Sequence, residues 1–368
     1  MLLALVAAVA AVSSPGLAGA AAAQETDSGS RDGRYFDPVF DEMTVTEDIV
    51  YGSAVFSDGL RDDLKLDLYE PLGDTAETRP VIVLLHGGFF VIGNHKEDTW
   101  GAGPGVARTF TDLGYVVASV QYRLRPELPM IPPDLATEDQ LAMYEAASLD
   151  AHDDVAAAIG WLRDHAAERR IDPDAIVPYG FSAGGVIAWH MAWFPGSSAR
   201  PDPVGVPAAV SVAGAPYETS VITGEPLAAP SPGEAPVLAY HGTADEIIAY
   251  EFAAGPCGRA AAAGVRCDLV TFDGLGHPAL DNAFVDELTA SVDITTSFLA
   301  EEVLIPLGYV DAVPDPAGPP PSTPAAPPTA PPAIDLTPPS ASQDGPPGAA
   351  PPIARPARPV IAHPTYTG

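Results

Sequence analysis

Residues 175–193, with the sequence AIVPYGFSAGGVIAWHMAW, decide the fold of this chain. The segment opens as an apolar, β-rich run and closes as an apolar helical pattern, and GFSAG (residues 180–184) lies between them. A serine on such a sharp strand-to-helix turn has a strained backbone, and its hydroxyl stands above the edge of the sheet. The five residues alone are a moderate signal, but their strand-turn-helix setting makes Ser182 a candidate nucleophile.

Apolar runs alternate with helical patterns on both sides of this segment, as is typical of an α/β fold. Residues 48–56 and 64–69 are predicted to form an opening antiparallel pair, since leucines alternate with polar residues in the second run. Further strands are predicted at residues 81–85, 116–121, 175–179, 208–213, 237–240 and 267–272. Helices are predicted around residues 155–166, 183–193, 247–263 and 282–302. We expect a mostly parallel sheet of about eight strands, flanked by helices.

The sequence HGGFF (residues 86–90) directly follows one of these predicted strands. Glycines let backbone N–H groups approach a substrate oxygen, and each such donor stabilises the oxyanion of acyl transfer by about 3 kcal/mol. Glycine pairs also mark ordinary turns. The motif therefore indicates an oxyanion hole only in combination with the serine turn that follows about a hundred residues later.

Two later loops carry an acid and a histidine. An acid at a strand end, such as Asp245, can hold an imidazole in one tautomer. The alternative is that Asp245 caps the next helix. Glu246 and Asp273 are the other acids nearby that could take the same role. Of the eight histidines, His277 lies in a glycine-rich loop after the last predicted strand. The order Ser182, Asp245, His277 is that of serine hydrolases built on this kind of sheet.

Through the stretches VIVLLHGGFF, YGFSAGG and HGTAD, residues 48–302 resemble the α/β-hydrolase family, in particular its secreted carboxylesterase-like members. The resemblance implies that Ser182 is the nucleophile, His277 the general acid/base and Asp245 its orienting partner. It also implies an oxyanion hole made by the backbone N–H groups of Gly88, Phe89 and Ala183.

The chain departs from the family pattern at one position of this motif. Phe89 stands where family members that accept bulky tertiary-alcohol esters have a third glycine, and its backbone is less free than that of glycine. We expect Phe89 and Phe90 to wall the acyl or alcohol pocket instead.

Charge and proline divide the chain into three parts. The 368 residues include 49 acidic and 17 basic side chains, for a net charge of −32, which excludes nucleic acid as a partner. Residues 1–23 are uncharged with an apolar run too short to span a bilayer, and they predict a signal peptide, the alternative being a buried N-terminal helix. Residues 24–310 form the predicted hydrolase domain. Residues 311–368 hold 19 of the 42 prolines and are predicted to be a disordered tail, suited to contact with a cell envelope.

Three smaller features concern the cysteines, a proline-containing segment and metal ligands. An oxidising compartment would favour a disulfide between Cys257 and Cys267 over free thiols. The proline-containing segment 126–148 either partly covers the pocket or is an ordinary surface excursion. The sequence shows no metal-ligand spacing, and the expected chemistry needs no cofactor.

These observations predict a secreted or cell-envelope serine carboxylesterase. Its expected substrates are short-chain, acetyl or feruloyl esters, either as small molecules or on a polymer, without stable membrane insertion. The alternatives are a peptidase, amidase or lipase of the same fold, and a non-catalytic hydrolase fold that binds a partner.

Overall fold

The computed structural model describes residues 33–97, 101, 103–132, 135–194, 204–278 and 280–314. The predicted signal peptide (1–23) and all but the first four residues of the predicted tail (311–368) lie outside these described residues. Both remain predictions.

Eight strands form one sheet. They are β1 (Met43–Val55), β2 (Arg61–Pro71), β3 (Arg79–Leu85), β4 (Val116–Val120), β5 (Ile171–Phe181), β6 (Ala209–Val212), β7 (Val237–Gly242) and β8 (Cys267–Phe272). Their spatial order is β1-β2-β4-β3-β5-β6-β7-β8. Strand β2 is antiparallel to both of its neighbours, and all other pairs are parallel. The predicted mostly parallel sheet and its opening antiparallel pair are confirmed.

Seven α-helices occur among the described residues. They are α1 (Pro104–Asp112), α2 (Glu138–Asp164), α3 (Ala166–Arg169), α4 (Ala183–Trp193), α5 (Glu251–Ala260), α6 (Asn282–Ala290) and α7 (Val292–Leu299). In the described part of the chain, no helix has the length and apolar character needed to cross a membrane.

Three predicted helices differ from the observed ones. The helix predicted over 155–166 is the C-terminal part of α2, which begins at Glu138 and ends at Asp164. The helix predicted over 282–302 is divided at Ser291 into α6 and α7. The Ser291 carbonyl accepts a hydrogen bond from the Tyr240 hydroxyl at 3.2 Å at this point. The helix predicted to begin at Ile247 begins at Glu251 instead. The intervening N–H groups of Ile247 and Ile248 are held by the Asp245 carboxylate, each at 2.8 Å.

Both faces of the sheet are covered, as β3 shows. All seven residues of β3 are buried. Val81, Val83 and Leu85 pack on the face covered by α2 and α4, whereas Ile82 and Leu84 pack on the face covered by α1 and α7. This alternation follows from the two-residue period of a strand. Full burial of each such side chain contributes about 1.5–3 kcal/mol to folding, so the carboxyl end of β3 is a rigid base for the loop that follows.

The structure pairs Cys257 of α5 with Cys267, the first residue of β8. The disulfide closes a ten-residue loop between the segment that carries Asp245 and the segment that carries His277. It is the bridge that the sequence favoured.

Replacing both cysteines with serine should lower the free energy of unfolding by roughly 2–3 kcal/mol, because the bridge restricts the unfolded chain. Urea unfolding of the double variant and of the wild type, each with and without reductant, measures the difference. Reduction should move the wild type to the midpoint of the double variant and leave the variant itself unchanged. Equal midpoints for the oxidised wild type and the variant would contradict the expectation.

Candidate active site

Ser182 lies on the turn between β5 and α4, with backbone angles of φ 52° and ψ −114°. A positive φ is unfavourable for a residue with a Cβ atom, so the surrounding structure must stabilise the turn. The Ser182 N–H donates to the Val212 carbonyl at 2.8 Å, which holds the turn to β6. The two motif glycines leave no room for a side chain: a Cβ on Gly180 would lie 2.0 Å from the Gly184 carbonyl oxygen, and one on Gly184 would lie 2.1 Å from that of Leu85.

Hydrogen bonds connect Ser182, His277 and Asp245 in a chain. The Ser182 Oγ and the His277 Nε2 are 2.9 Å apart, and the His277 Nδ1 and the Asp245 Oδ2 are 2.7 Å apart. All three residues are buried, with His277 only 1% exposed. Since the carboxylate only accepts hydrogen bonds, the imidazole proton is on Nδ1, and Nε2 is left to accept the serine proton.

Asp245 does not cap the next helix, which begins at Glu251 without a side-chain cap, but its carboxylate holds the loop before that helix. Its Oδ1 accepts the N–H groups of Ile247 and Ile248, while its Oδ2 faces the imidazole. Burial alone would raise the pKa of the Asp245 carboxyl, but the hydrogen bonds from His241 and His277 outweigh it and lower the pKa below its ordinary value. The carboxylate is therefore charged wherever the imidazole can act as a base.

The two other candidate acids have different partners. The Glu246 carboxylate accepts the backbone N–H of His277 at 3.2 Å, so it positions the loop and not the ring. Asp273 is exposed, and its carboxylate accepts the Thr243 hydroxyl at 3.2 Å. Neither acid has a hydrogen bond with the His277 imidazole.

The segment 86–90 is bent tightly beside the serine turn. Gly88, Phe89 and Phe90 all have positive φ, of 108°, 59° and 62°. Two groups support the bend: the Ile92 N–H donates to the Gly88 carbonyl at 3.0 Å, and the Tyr122 hydroxyl donates to the His86 carbonyl at 2.6 Å. Phe89 thus tolerates, at some cost in strain, a conformation that suits glycine better.

The His86 side chain is buried and uncharged, and it packs beneath the loop. Its ring stacks on Tyr122 with centroids 4.2 Å apart, and burial lowers the pKa of His86 to about 4. The Gly88, Phe89 and Ala183 N–H groups donate no hydrogen bond to another described residue. Their availability agrees with the oxyanion role that the sequence predicted for them.

Two cavities meet at Ser182. The first, of about 190 Å³, is lined by Ser182, His277 and Gly87 and by apolar side chains of α1, α6 and α7. The second, of about 40 Å³, is lined by Ser182, Ala183, Phe89 and Phe90 among others. Both phenylalanines therefore line a cavity beside the serine.

The segment 126–148 contributes to the second cavity. Ile131 and Tyr144 line it, and the Tyr144 hydroxyl donates to the Pro129 carbonyl, which ties the segment to itself. Residues from Glu138 onward belong to α2. This placement agrees with the alternative in which segment 126–148 partly covers the pocket.

His241 and Tyr122 support the site, although their sequence context did not single them out as site residues. The His241 Nε2 lies 2.8 Å from the Ile248 carbonyl oxygen and 3.4 Å from the Asp245 Oδ2, so it braces the loop that holds the acid. The signal for His241 was present in the HGTAD motif, four residues before Asp245. No local signal marks Tyr122, which reaches His86 only because β3 and β4 are neighbours.

Known proteins share this arrangement of the sheet. The family model BD-FAE matches residues 66–200. The apo form of esterase 2 from Thermogutta terrifontis is 27% identical, with a TM-score of 0.53 over 73% of this chain and 97% of that chain. The same esterase phosphorylated by paraoxon is 26% identical, with a TM-score of 0.52 over 73% of this chain and 95% of that chain.

Curated relatives match shorter segments. Carboxylesterase 3B from Mus musculus is 35% identical over 127 residues, which is 34% of this chain and 20% of the relative. Non-reducing polyketide synthase trt4 from Aspergillus terreus is 31% identical over 156 residues, which is 40% of this chain and 5% of the relative. The chain thus spans about a fifth and about a twentieth of these proteins. The predicted fold class and the family resemblance are confirmed.

The glycine contacts at the turn can be tested by substitution. Gly184→Ala should lower the free energy of unfolding by roughly 3 kcal/mol, because its Cβ would meet the Leu85 carbonyl inside a packed core. Gly160→Ala is the matched control: a Cβ there meets nothing within 4 Å, and helix α2 should gain about 0.5–1 kcal/mol. Urea unfolding measures both. Similar effects of the two substitutions would show that the close approach is not what constrains the turn.

Proposed function

We propose that this chain, a carboxylesterase-like member of the α/β-hydrolase family, is a secreted serine esterase that hydrolyses esters of short acyl chains. The observation that carries the proposal is the hydrogen-bonded chain Ser182–His277–Asp245, whose serine lies where two cavities of unequal size meet. The esterases among the structural neighbours support the assignment to ester chemistry.

Acylation begins when the His277 Nε2 accepts the Ser182 proton and the Ser182 Oγ attacks the ester carbonyl. The negative charge that develops on the carbonyl oxygen is stabilised by the N–H groups of Gly88, Phe89 and Ala183, the last at the positive end of α4. His277 is then an imidazolium, which the Asp245 carboxylate stabilises. It passes its proton to the departing alkoxide, and the alcohol leaves.

Deacylation repeats these steps with water. His277 removes a proton from a water molecule, the hydroxide attacks the acyl carbonyl, and the same N–H groups stabilise the second oxyanion. Protonation of the Ser182 Oγ then releases the carboxylic acid. These residues suffice for both half-reactions.

The position of His277 assigns the two cavities. The alkoxide must receive its proton from the His277 Nε2, so the alcohol lies in the cavity that His277 lines, the larger one. The acyl group then lies in the smaller cavity, which Ala183 and Phe89 line. Aromatic and aliphatic residues, among them Phe110, Phe181 and Leu288, line the alcohol side. An apolar alcohol therefore suits it better than a sugar.

The acyl cavity favours short chains. Its volume of about 40 Å³ is room for roughly three water-sized groups. An acetyl to butyryl group is of this size, whereas the aromatic ring of a feruloyl group is too large. A structure of Thermogutta terrifontis esterase 2 contains bound butyrate, which supports a short acyl chain here as well.

Secretion is supported by two independent features. The uncharged apolar segment 1–23 has the composition of a signal peptide. The Cys257–Cys267 disulfide is of a kind that persists in oxidising compartments. The net charge of −32 suits a protein that stays dispersed outside the cell and disfavours strongly anionic substrates.

Ser182→Ala in the full chain should lower the turnover of p-nitrophenyl acetate and butyrate by at least about a thousandfold, because the acyl-enzyme can no longer form. Melting curves of both proteins control for folding. The wild type should also be labelled once by paraoxon, and mass spectrometry should place the label on Ser182. Undiminished turnover by the alanine variant would contradict the proposal. A folded wild type without turnover or labelling would favour a binding protein, and turnover of amides alone would favour a peptidase.

The limit on acyl length can be tested at Tyr217. Val186, Tyr217 and Ile248 line both the acyl cavity and a neighbouring cavity of about 220 Å³, so they form the wall between the two. Tyr217→Ala should join the cavities and raise the ratio of octanoate to acetate hydrolysis by at least about tenfold, since each buried methylene is worth about 0.8 kcal/mol. Tyr217→Phe, which keeps the wall, should leave the ratio unchanged. An unchanged ratio in the alanine variant would show that another element limits acyl length.

A further inference from the structure

A second cluster of ligand-type side chains lies at the other end of the sheet order from the acid loop. Asp48 of β1, Asp67 of β2 and His95 of the segment after β3 place one ligand atom each within 4.8 Å of one another. The three residues are 19 and 28 positions apart in the sequence, so no metal-ligand spacing was visible there. Asp67 and His95 are buried, at 2% and 6% exposure, and Asp48 is open to solvent.

The His95 Nε2 faces two carboxylate oxygens without a hydrogen bond. It lies 3.4 Å from the Asp67 Oδ1 and 3.8 Å from the Asp48 Oδ1. On the other side of the ring, the Nδ1 lies 3.4 Å from the Gln121 Oε1. The Gln121 amide donates its own N–H to the Tyr122 carbonyl at 2.9 Å, which leaves its oxygen toward His95. The ring proton is therefore on Nδ1, and the Nε2 lone pair points at the two aspartates.

A lone pair and two anionic oxygens repel one another, and a metal ion between them would turn this repulsion into attraction. We propose that Asp48, Asp67 and His95 bind a divalent transition-metal ion, with Zn²⁺ as the ion that this mixture of imidazole and carboxylate ligands suits best. Two ligand atoms that are each about 2.1 Å from one zinc ion at a tetrahedral angle lie roughly 3.4 Å apart. This is the observed distance between the His95 Nε2 and the Asp67 Oδ1.

The charges around the cluster also match a divalent ion. Lys96 contacts the same carboxylates. Its Nζ lies 3.1 Å from the Asp67 Oδ2, 3.3 Å from the Asp67 Oδ1 and 3.4 Å from the Asp48 Oδ2, and 3.3 Å from the Glu47 carboxylate. Three carboxylates and one ammonium leave a net charge of −2. One divalent cation balances it, whereas Lys96 alone does not.

The backbone holds the ligands in place. The pairing of β1 with β2 is irregular between Thr46 and Ile49, and Asp48 has a positive φ of 54° within this bulge. The Asp48 N–H donates to the Asp67 Oδ1 at 2.7 Å, and the Ser119 hydroxyl donates to the His95 carbonyl at 2.7 Å. Bulges commonly re-aim a side chain, and this one turns Asp48 toward His95. His95 belongs to the segment that follows the bent 86–90 loop. A bound ion would link this segment to strands β1 and β2.

The full chain, free of any histidine tag and pretreated with a chelator, should bind one strong equivalent of Zn²⁺ in a calorimetric titration. Co²⁺ in the same site should give visible absorption bands. Saturation to about a hundred times the dissociation constant should raise the melting temperature by roughly 5 °C or more. His95→Gln and Asp48→Asn should each weaken binding by at least about tenfold. Asp48→Asn keeps the fold, because asparagine tolerates a positive φ.

Two controls make the test specific. Asp63→Asn removes an exposed carboxylate from the same strand as Asp67 and should leave zinc affinity unchanged. Lys96→Met removes the competing ammonium and should tighten binding. The proposal is overturned if the wild type binds no more zinc than His95→Gln does, since His95 is then not a ligand. It is equally overturned if Asp63→Asn weakens binding as much as Asp48→Asn, since the ion is then held by diffuse surface charge. Neither result bears on esterase activity.

Discussion

The close approach of helix α4 to the end of strand β3 is the constraint on which the site depends. Gly184 lies so near the Leu85 carbonyl that even a methyl group would not fit. This contact places the amino-terminal end of α4, and with it Ser182, against the loop that begins at His86. The proposed nucleophile and the N–H groups predicted to receive the oxyanion thus come from separate segments that packing forces together. Their relative position is as rigid as the core beneath them.

The loop after β7 shows how one side chain can serve both structure and chemistry. Asp245 uses one carboxylate oxygen to hold the N–H groups of Ile247 and Ile248 and the other to hold the His277 ring. The helix that could have begun there starts later, at Glu251. His241 and Glu246 support the acid and the histidine loop, respectively, from the two sides. A buried carboxylate with so many donors stays charged, which a catalytic acid partner needs.

Three of the seven non-glycine residues with positive φ in the described part of the chain lie at the site. Ser182, Phe89 and Phe90 all have positive φ without being glycine. Such conformations persist only where neighbouring contacts determine them. The Val212 carbonyl holds one of these segments and the Tyr122 hydroxyl the other. The same two phenylalanines then form part of the small cavity, so the residues that replace flexible glycine also limit the space beside the nucleophile.

The sequence alone determined the class of the fold and the identity of the chemical groups. Strand periodicity, the turn residues at 180–184 and the order Ser182, Asp245, His277 are local properties of the chain, and each can be recognised from neighbouring residues. The division of the C-terminal helix at Ser291 was not recognised in this way. The Ser291 carbonyl there accepts a hydrogen bond from Tyr240, which lies 51 residues earlier. The sizes of the two cavities, the wall at Tyr217 and the grouping of Asp48, Asp67 and His95 were likewise decided by the tertiary structure. They depend on which distant segments the sheet order brings side by side, and long-range packing leaves no periodic signal in the sequence.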